Sequence, residues 1–297
     1  MAQPLRTECG WMSGYRGAAR AARRCRHERE ASGTTMADYS ATAREIGKAF
    51  RHRDLWLTLG SWDVRRMYRR SVLGPLWLTI SAAVFVAGVG VLYGGLMRQT
   101  LEAFLPHVAL GFVIWTFVSG SMLAGTQALI VEGAILKQVA IGPTVVLFRV
   151  LWRQILVTVH QLAVPAVILL AFQKWPTIEA AWVIPGVLLL ICNVAWMTAF
   201  LAIAAARFRD IPPIVGSVLQ IAFFMTPVIW LRNGLTSHHW VVDLNPFSHL
   251  IEIVRGPLLG TPGYLLSFWV CTAMAVAGCI ITFVLFARSR DRLVYWL

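Results

Sequence analysis

Six long apolar stretches constrain the fold of this chain more than any other feature of its sequence. A helix crosses a bilayer with about 20 consecutive apolar residues, and each stretch is close to that length. Because backbone in lipid must satisfy its own hydrogen bonds, such stretches are helical. The sequence therefore predicts an all-α polytopic membrane protein with six transmembrane helices, at Leu76–Met97, Leu105–Leu123, Ile155–Phe172, Trp182–Ala206, Ile214–Leu231 and Leu265–Ala287.

The composition excludes an ordinary soluble protein. Hydrophobic residues make up 58% of the chain and charged residues 14%, whereas soluble domains carry about 25% charged residues. The net charge of +13 would suggest nucleic acid on a soluble domain. Here the basic residues lie beside the apolar stretches, which fits contact with membrane lipids. We expect membrane lipids as partners and no nucleic acid.

The Lys and Arg residues also predict the orientation. After residue 43, sixteen of them fall in loops on the same side of the membrane as the N-terminus, and four fall in loops on the other side. Cytoplasmic loops carry the excess of Lys and Arg. Both termini are therefore predicted to be cytoplasmic.

The region before the first span is predicted in two parts. Residues 1–43 form a disordered basic tail, in which Met36 is an alternative start to Met1. Residues 44–71 form an amphipathic helix in the membrane interface, because their apolar residues share one third of the helix circumference. The alternative is a helix packed on a protein partner. Residues 72–290 then form the transmembrane domain, and residues 291–297 a cytoplasmic C-terminal tail.

Two loops carry short predicted helices. One, Val131–Val139, lies on the cytoplasmic side and ends at the turn Gly142-Pro143. The other begins at Asn245-Pro246 in the long outer loop, because Asn is a good N-cap and Pro suits the first helical position. That helix is too short to span and is predicted to be re-entrant, with Gly256-Pro257 interrupting or ending it.

The chain lacks most motifs that carry chemistry. It has no P-loop sequence, and its five cysteines form no CxxC pattern, so we predict no metal site, no disulfide framework and no cofactor bound by this chain. Polar residues inside spans face either a helix interface or an aqueous path. The residues predicted to line such a path are Trp77, Phe85, His160, Gln161, Gln220, Phe223 and Phe224.

Three motifs resemble ABC-2-type permeases that export bacterial polysaccharides. The run from Trp62 to Trp77 resembles that family's entry to the first span, "R-Y-x-x-S-x-L-G-x-x-W", although Met67 separates Arg66 from Tyr68. Arg207-Phe208-Arg209-Asp210-Ile211 resembles the "R-D" turn between the fourth and fifth spans. Thr226-Pro227-Val228-Ile229, followed by Asn245-Pro246-Phe247, resembles the pair "S-P-V-I … N-P", with Thr226 in place of Ser. The resemblance covers roughly residues 45–290.

The resemblance implies a transmembrane subunit in the bacterial inner membrane. It implies a homodimer, two separate ATP-binding-cassette subunits that bind ATP and Mg²⁺, and a lipid-linked polysaccharide such as O-antigen, capsule, teichoic acid or galactan on a polyprenyl pyrophosphate carrier. The helix Val131–Val139 would then press against the ATPase, through Glu132, Lys137 and Gln138.

A cluster of arginines just before the first span could receive the pyrophosphate head, because Arg binds phosphate bidentately. The cluster comprises Arg65, Arg66, Arg69 and Arg70, and positive-inside topology alone also explains it. Two alternatives for the function remain open. One is an ABC-2 permease for a lipid or drug, and the other is a membrane-embedded acyl- or glycosyltransferase using His238, His239 and Asp243.

Overall fold

The computed structural model describes residues 39–69, 71–96, 100–133, 142–174, 178–231 and 239–296. Within these ranges the chain forms eleven α-helices and one 3-10 turn, Ile178–Trp182. The helices are α1 Tyr39–Arg51, α2 Arg53–Met67, α3 Leu76–Leu96, α4 Leu101–Val131, α5 Pro143–Gln161, α6 Ala163–Ala171, α7 Val183–Arg207, α8 Ile211–Met225, α9 His239–Leu244, α10 Pro246–Leu259 and α11 Tyr264–Trp296.

Five of the six predicted spans coincide with helices long and apolar enough to cross a membrane. These are Leu76–Gly95, Leu101–Val131, Pro143–Ala171, Ile178–Arg207 and Tyr264–Arg290. The chain is therefore an all-α polytopic membrane protein, as the apolar stretches predicted.

The fifth predicted span differs from the prediction in length. Its helix, α8, has 15 residues and ends at Met225, whereas the apolar stretch continues to Leu231. Thr226 has an extended backbone (φ −92°, ψ 138°), which suits the residue before Pro227 because a following proline disfavours helical geometry. A crossing at this position stays a prediction.

α4 lies at the centre of the bundle and packs against α3, α5, α7, α8 and α10. Trp115, Val118 and Val194 belong to the largest core cluster, together with Leu250 and Ile253 from α10. The predicted re-entrant helix is thus packed into the core beside the spans. Its apolar face, at helical spacing, is buried against them.

The N-terminal amphipathic segment forms two helices, α1 and α2, which meet at His52. The first begins at Tyr39, earlier than the predicted start at residue 44. Its Phe50 ring contacts Phe148 of α5 at 4.8 Å, and Trp56 of α2 contacts the same ring at 5.6 Å. The apolar face therefore packs on a span of the same chain, and its contact with the membrane interface stays a prediction.

A glycine allows α2 to approach α5 closely. A Cβ added at Gly60 would lie 2.9 Å from the carbonyl oxygen of Arg149 and 2.9 Å from the Trp152 ring. Trp152 in turn donates from Nε1 to the Ser61 hydroxyl at 3.1 Å. Any larger residue at position 60 would separate the two helices.

α10 begins as the sequence predicted. The Asn245 side chain accepts a hydrogen bond from Phe247 N, and Pro246 occupies the first helical position. The predicted break at Gly256-Pro257 is wrong, because the helix continues to Leu259 and ends at Gly260 (φ 66°). Pro257 falls in the last turn, where one missing hydrogen bond leaves the earlier turns intact.

Three helices extend further than the apolar stretches predicted. α4 reaches Val131, α5 begins at Pro143 rather than near Ile155, and α11 runs to Trp296 through the predicted C-terminal tail. Polar residues such as Gln127 in α4, and charged residues in α5 and α11, shortened the apolar pattern without ending the helices. The predicted helix Val131–Val139 falls mostly on residues 134–141, which lie outside the described residues, as do Lys137 and Gln138.

Candidate functional site

Three helices meet in a group of ion pairs, which we call the Arg149 cluster: Arg149 of α5, Asp63 of α2 and Glu132 at the end of α4. Arg149 donates from Nε and Nη2 to the two Asp63 carboxylate oxygens, both at 2.7 Å. Its Nη1 donates to Glu132 at 3.0 Å. The three side chains are 15–20% exposed. A bidentate pair of this kind fixes geometry as well as charge.

A polar cavity of about 390 Å³ adjoins the Arg149 cluster. Arg153 lies one helical turn beyond Arg149 and lines this cavity with Gln154. Its buried Nε has no hydrogen-bond partner among the described residues. The remaining lining residues that carry polar groups are Asp63, Gln127, Glu132 and Arg149. Arg153 and Gln154 thus place polar side chains at the wall of this cavity.

A second cavity, of about 420 Å³, has an aromatic lining. Trp115 of α4 and Phe223 of α8 contact each other at 5.7 Å between ring centroids. Phe224 and Gln220, also on α8, line the same space. Three of the predicted path-lining residues, Gln220, Phe223 and Phe224, are thus brought to one cavity.

The two cavities adjoin along α4. Gly120 and Leu123 belong to the lining of both, and the aromatic cavity continues toward Trp115 while the polar cavity continues toward Glu132. One face of α4 therefore connects a charged region at its C-terminal end with an aromatic region near its middle.

The opposite end of α4 holds a second buried charge cluster, the Arg255 cluster: Arg255, Glu252 and His107. Arg255 is 4% exposed. It donates to Pro227 O at 2.7 Å and to Glu252 at 2.9 Å, and it lies 3.1 Å from His107 Nε2. At 1.5 Å per residue, His107 and Glu132 are about 37 Å apart along the helix, so the two clusters mark opposite ends of the bundle.

Sequence reasoning missed both clusters. Arg255 and Glu252 lie in the predicted outer loop, whereas the structure packs α10 into the core, where Arg255 is 4% and Glu252 24% exposed. Arg149 and Arg153 precede the predicted span Ile155–Phe172, although both lie on α5. One sequence feature indicated that Arg255 is buried: it lies at helical spacing from the apolar residues Ile251 and Leu258.

The structure places the other predicted path residues elsewhere. Gln161 is buried and accepts a hydrogen bond from Thr116 at 2.9 Å, which joins α5 to α4. His160 contacts the carbonyl of Leu156 in its own helix at 2.7 Å.

Trp77 is 53% exposed at the start of α3. Phe85 stacks on Phe112 and contacts Phe223 at 6.3 Å. His160, Gln161, Trp77 and Phe85 do not line either cavity.

The arginines predicted to receive a head group lie at the C-terminal end of α2. Arg65, Arg66 and Arg69 are exposed, and Arg70 falls outside the described residues. They are close in sequence to Asp63, which lines the polar cavity. Their exposure leaves them accessible to an anionic group.

A serine–histidine pair bears on the transferase alternative. His249 Nδ1 lies 2.9 Å from the Ser267 hydroxyl, and its Nε2 lies 2.9 Å from the Asp243 carbonyl. Both residues are buried, at 8% and 5% exposure. The contact joins α10 to α11. His238 and the side chain of His239 fall outside the described residues.

Two of the sequence motifs contact each other. Asn245 donates from Nδ2 to the Thr226 hydroxyl at 2.9 Å, and that hydroxyl donates to Ala222 O at 2.7 Å. The Thr-Pro and Asn-Pro motifs therefore fix the end of α8 to the start of α10. A serine at position 226 would supply the same hydroxyl.

The bundle, its two adjoining cavities and the charge clusters at both ends define a multi-pass membrane protein of the transporter class. The family model described as ABC-2 type transporter matches residues 54–259. This match covers most of the chain, from α2 through α10. The chain belongs to the ABC-2 type transporter family.

Three named relatives are similar to this chain. The O-antigen export system permease protein RfbA of Myxococcus xanthus is 26% identical over 211 residues, which cover 70% of this chain and 81% of that protein. Two proteins of the same name from Klebsiella pneumoniae are 21% and 20% identical over 202 residues, which cover 67% of this chain and 77% of each relative.

Proposed function

We propose that this chain is the transmembrane subunit of an ABC transporter that exports a polyprenyl-pyrophosphate-linked polysaccharide, such as O-antigen, across the bacterial inner membrane. Separate ATPase subunits power the export, and this chain is not itself an enzyme. The observation that carries the proposal is the pair of adjoining cavities along α4. The names of the three relatives support the substrate class.

The Arg149 end of the bundle is the cytoplasmic end in this proposal. The exposed Arg65, Arg66 and Arg69 lie at this end. The C-terminal end of α11 lies there too, because its Arg290 forms an ion pair with Glu45 of α1 at 2.7 Å. The positive-inside rule supports this orientation. The lipid-linked polymer then enters beside the Arg149 cluster and leaves beyond the Arg255 cluster.

The cavity linings suit the two parts of the substrate. The exposed arginines on α2 bind the pyrophosphate, because a guanidinium meets phosphate oxygens with paired donors. The sugar rings pass Trp115, Phe223 and Phe224 in the aromatic cavity. Aromatic faces carry partial negative charge and suit the C–H groups on the face of a sugar ring.

A second copy of the chain completes the path. The face of α8 beside the aromatic cavity exposes large apolar side chains, which a second copy would cover: Ile214 is 54% exposed, Val218 53% and Ile221 62%.

Movement of the ATPase reaches the path through residues 132–141, which follow α4. Glu132 begins that segment and is tied to α5 and α2 by Arg149.

A gene deletion tests the proposal. In the source bacterium, an in-frame deletion is expected to abolish surface polysaccharide and to accumulate lipid-linked polymer inside the cell, because synthesis continues without export. The measurement is immunoblotting of surface and intracellular polymer, with a plasmid copy restoring export as control. Unchanged surface polysaccharide, with a changed lipid composition or drug sensitivity instead, would show a different cargo.

A further inference from the structure

One side of α4 is open although the helix lies at the centre of the bundle. Leu123, Gln127 and Val131 are exposed, whereas Phe117, Val118 and Leu129 are buried. The exposed positions recur every four residues, which places them on one face of a helix. With Ser119 and Gly120 this face lines the two adjoining cavities.

Gln154 of α5 lines the polar cavity and meets α4 at Gly120. Gly120 lines both cavities, and a Cβ added at Gly120 would lie only 2.5 Å from Gln154 Nε2. The amide group of Gln154 therefore rests directly on the α4 backbone at this point. Gly120 provides the space that it occupies.

The Gln154 amide has unused hydrogen-bonding groups. Within the described ranges its side chain makes no hydrogen bond, although its backbone carbonyl accepts from Thr158. An amide offers two donors and one carbonyl acceptor. The Gln154 amide thus presents unfilled polar groups to the polar cavity.

We propose that Gln154 and Gly120 form a constriction between the polar and aromatic cavities, at which the Gln154 amide hydrogen-bonds the hydroxyl groups of the passing saccharide. This inference rests on the proposed function and names the specificity-determining residue of its path. An uncharged amide suits the role because it can accept from one hydroxyl and donate to the next without holding either tightly. An apolar lipid or drug would gain nothing from it.

The close contact at Gly120 allows one small substitution to displace the Gln154 amide. The atom that an added Cβ would meet is the far end of a flexible side chain, so Gly120→Ala displaces the Gln154 amide and leaves the backbone in place. Gln154→Ala removes the amide and widens the junction. Gly88→Ala is the matched control, because a Cβ at Gly88 meets nothing within 4 Å.

Thiol labelling tests the constriction without any substrate. In a full-length variant whose five native cysteines are replaced, Gln127→Cys reports the polar cavity and Ser119→Cys the aromatic cavity. Inside-out membrane vesicles, with the ATPase subunits co-expressed, receive a membrane-impermeant methanethiosulfonate. We expect position 127 to react rapidly, and position 119 to react slowly until Gln154→Ala is added. Equal labelling of position 119 with and without Gln154 would overturn the constriction.

Export measured in the complemented deletion strain tests the role of the amide. We expect Gln154→Ala and Gly120→Ala each to slow the appearance of surface polymer about tenfold, the scale of one hydrogen bond, at unchanged protein levels, whereas Gly88→Ala exports normally. Normal export by both variants, with the labelling barrier present, would overturn the contact with sugar hydroxyls. Absence of polymer export by the wild-type chain would instead contradict the proposed function. In that case the labelling experiment alone would show whether the constriction exists.

Discussion

Replacing Arg255 with methionine is expected to lower the free energy of unfolding by about 3 kcal/mol, because a buried ion pair that loses one partner leaves an uncompensated charge. Arg255 is 4% exposed, and its guanidinium contacts Glu252, Pro227 O and His107 Nε2. Methionine fills similar volume but supplies no donor. The measurement is the thermal unfolding midpoint of the purified protein in detergent.

Two variants serve as controls for the Arg255 result. Arg66→Met removes an arginine that is exposed on α2 and is expected to change the midpoint little. Glu252→Gln combined with Arg255→Met removes both charges, and we expect it to recover part of the loss. If Arg255→Met unfolds at the same temperature as Arg66→Met, the buried cluster does not stabilise this end of the bundle.

Replacing Arg149 with methionine is expected to have an effect of similar size, about 3 kcal/mol, at the other end of the bundle. The Asp63 and Glu132 carboxylates, from two different helices, would face each other without the cation that joins them. Loss of this connection should also loosen α2 on α5, although the packing at Gly60 remains. The unfolding midpoint and the rate of polymer export measure the two consequences.

Removing the carboxylates together with the cation separates charge from packing. The triple variant Asp63→Asn/Glu132→Gln/Arg149→Met removes all three charges of the Arg149 cluster together, and we expect it to be more stable than Arg149→Met alone. We expect its export to remain low, because the connection between the segment after α4 and α2 is still missing. A triple variant no more stable than the single one would show that the ion pairs contribute little.

The spans were predictable because lipid imposes a simple requirement on sequence. A helix in hydrocarbon needs a long apolar run, and such runs located all five long helices. The helix ends were less predictable. Arg149 and Arg153 interrupt the apolar pattern, but they pair or point into a cavity, so α5 continues through them. Hydropathy records that a residue is charged and not whether it has a partner.

The charge clusters could not be derived from the sequence, because their members other than the neighbouring pair Glu252 and Arg255 are distant in it. His107 and Arg255 are 148 residues apart, and Asp63 and Arg149 are 86 apart. Only the packing of α10 and α2 against the spans brings them together. The Thr226 and Asn245 motifs were found by resemblance, and their direct contact gives the physical reason for their pairing.

The aromatic cavity was partly predictable. Gln220, Phe223 and Phe224 lie on successive turns of one short helix, so their common position follows from helical spacing. The contribution of Trp115 and Gly120 depends on how α4 packs against α8. His160 and Gln161 show the opposite case, since polar residues in a span also serve to join helices, as the hydrogen bond of Gln161 with Thr116 does.

Photocrosslinking of the polymer to the aromatic cavity tests the central claim most directly. A photoreactive phenylalanine analogue is placed at Phe224, which lines the cavity and is 60% exposed, or at Trp269, an aromatic residue of α11 that is 74% exposed and does not line either cavity. Irradiation of exporting cells is expected to attach polysaccharide to the chain at position 224 and not at position 269, as detected with an antibody to the polymer. Export that continues without an adduct at 224, or with equal adducts at both positions, would contradict a path through this cavity.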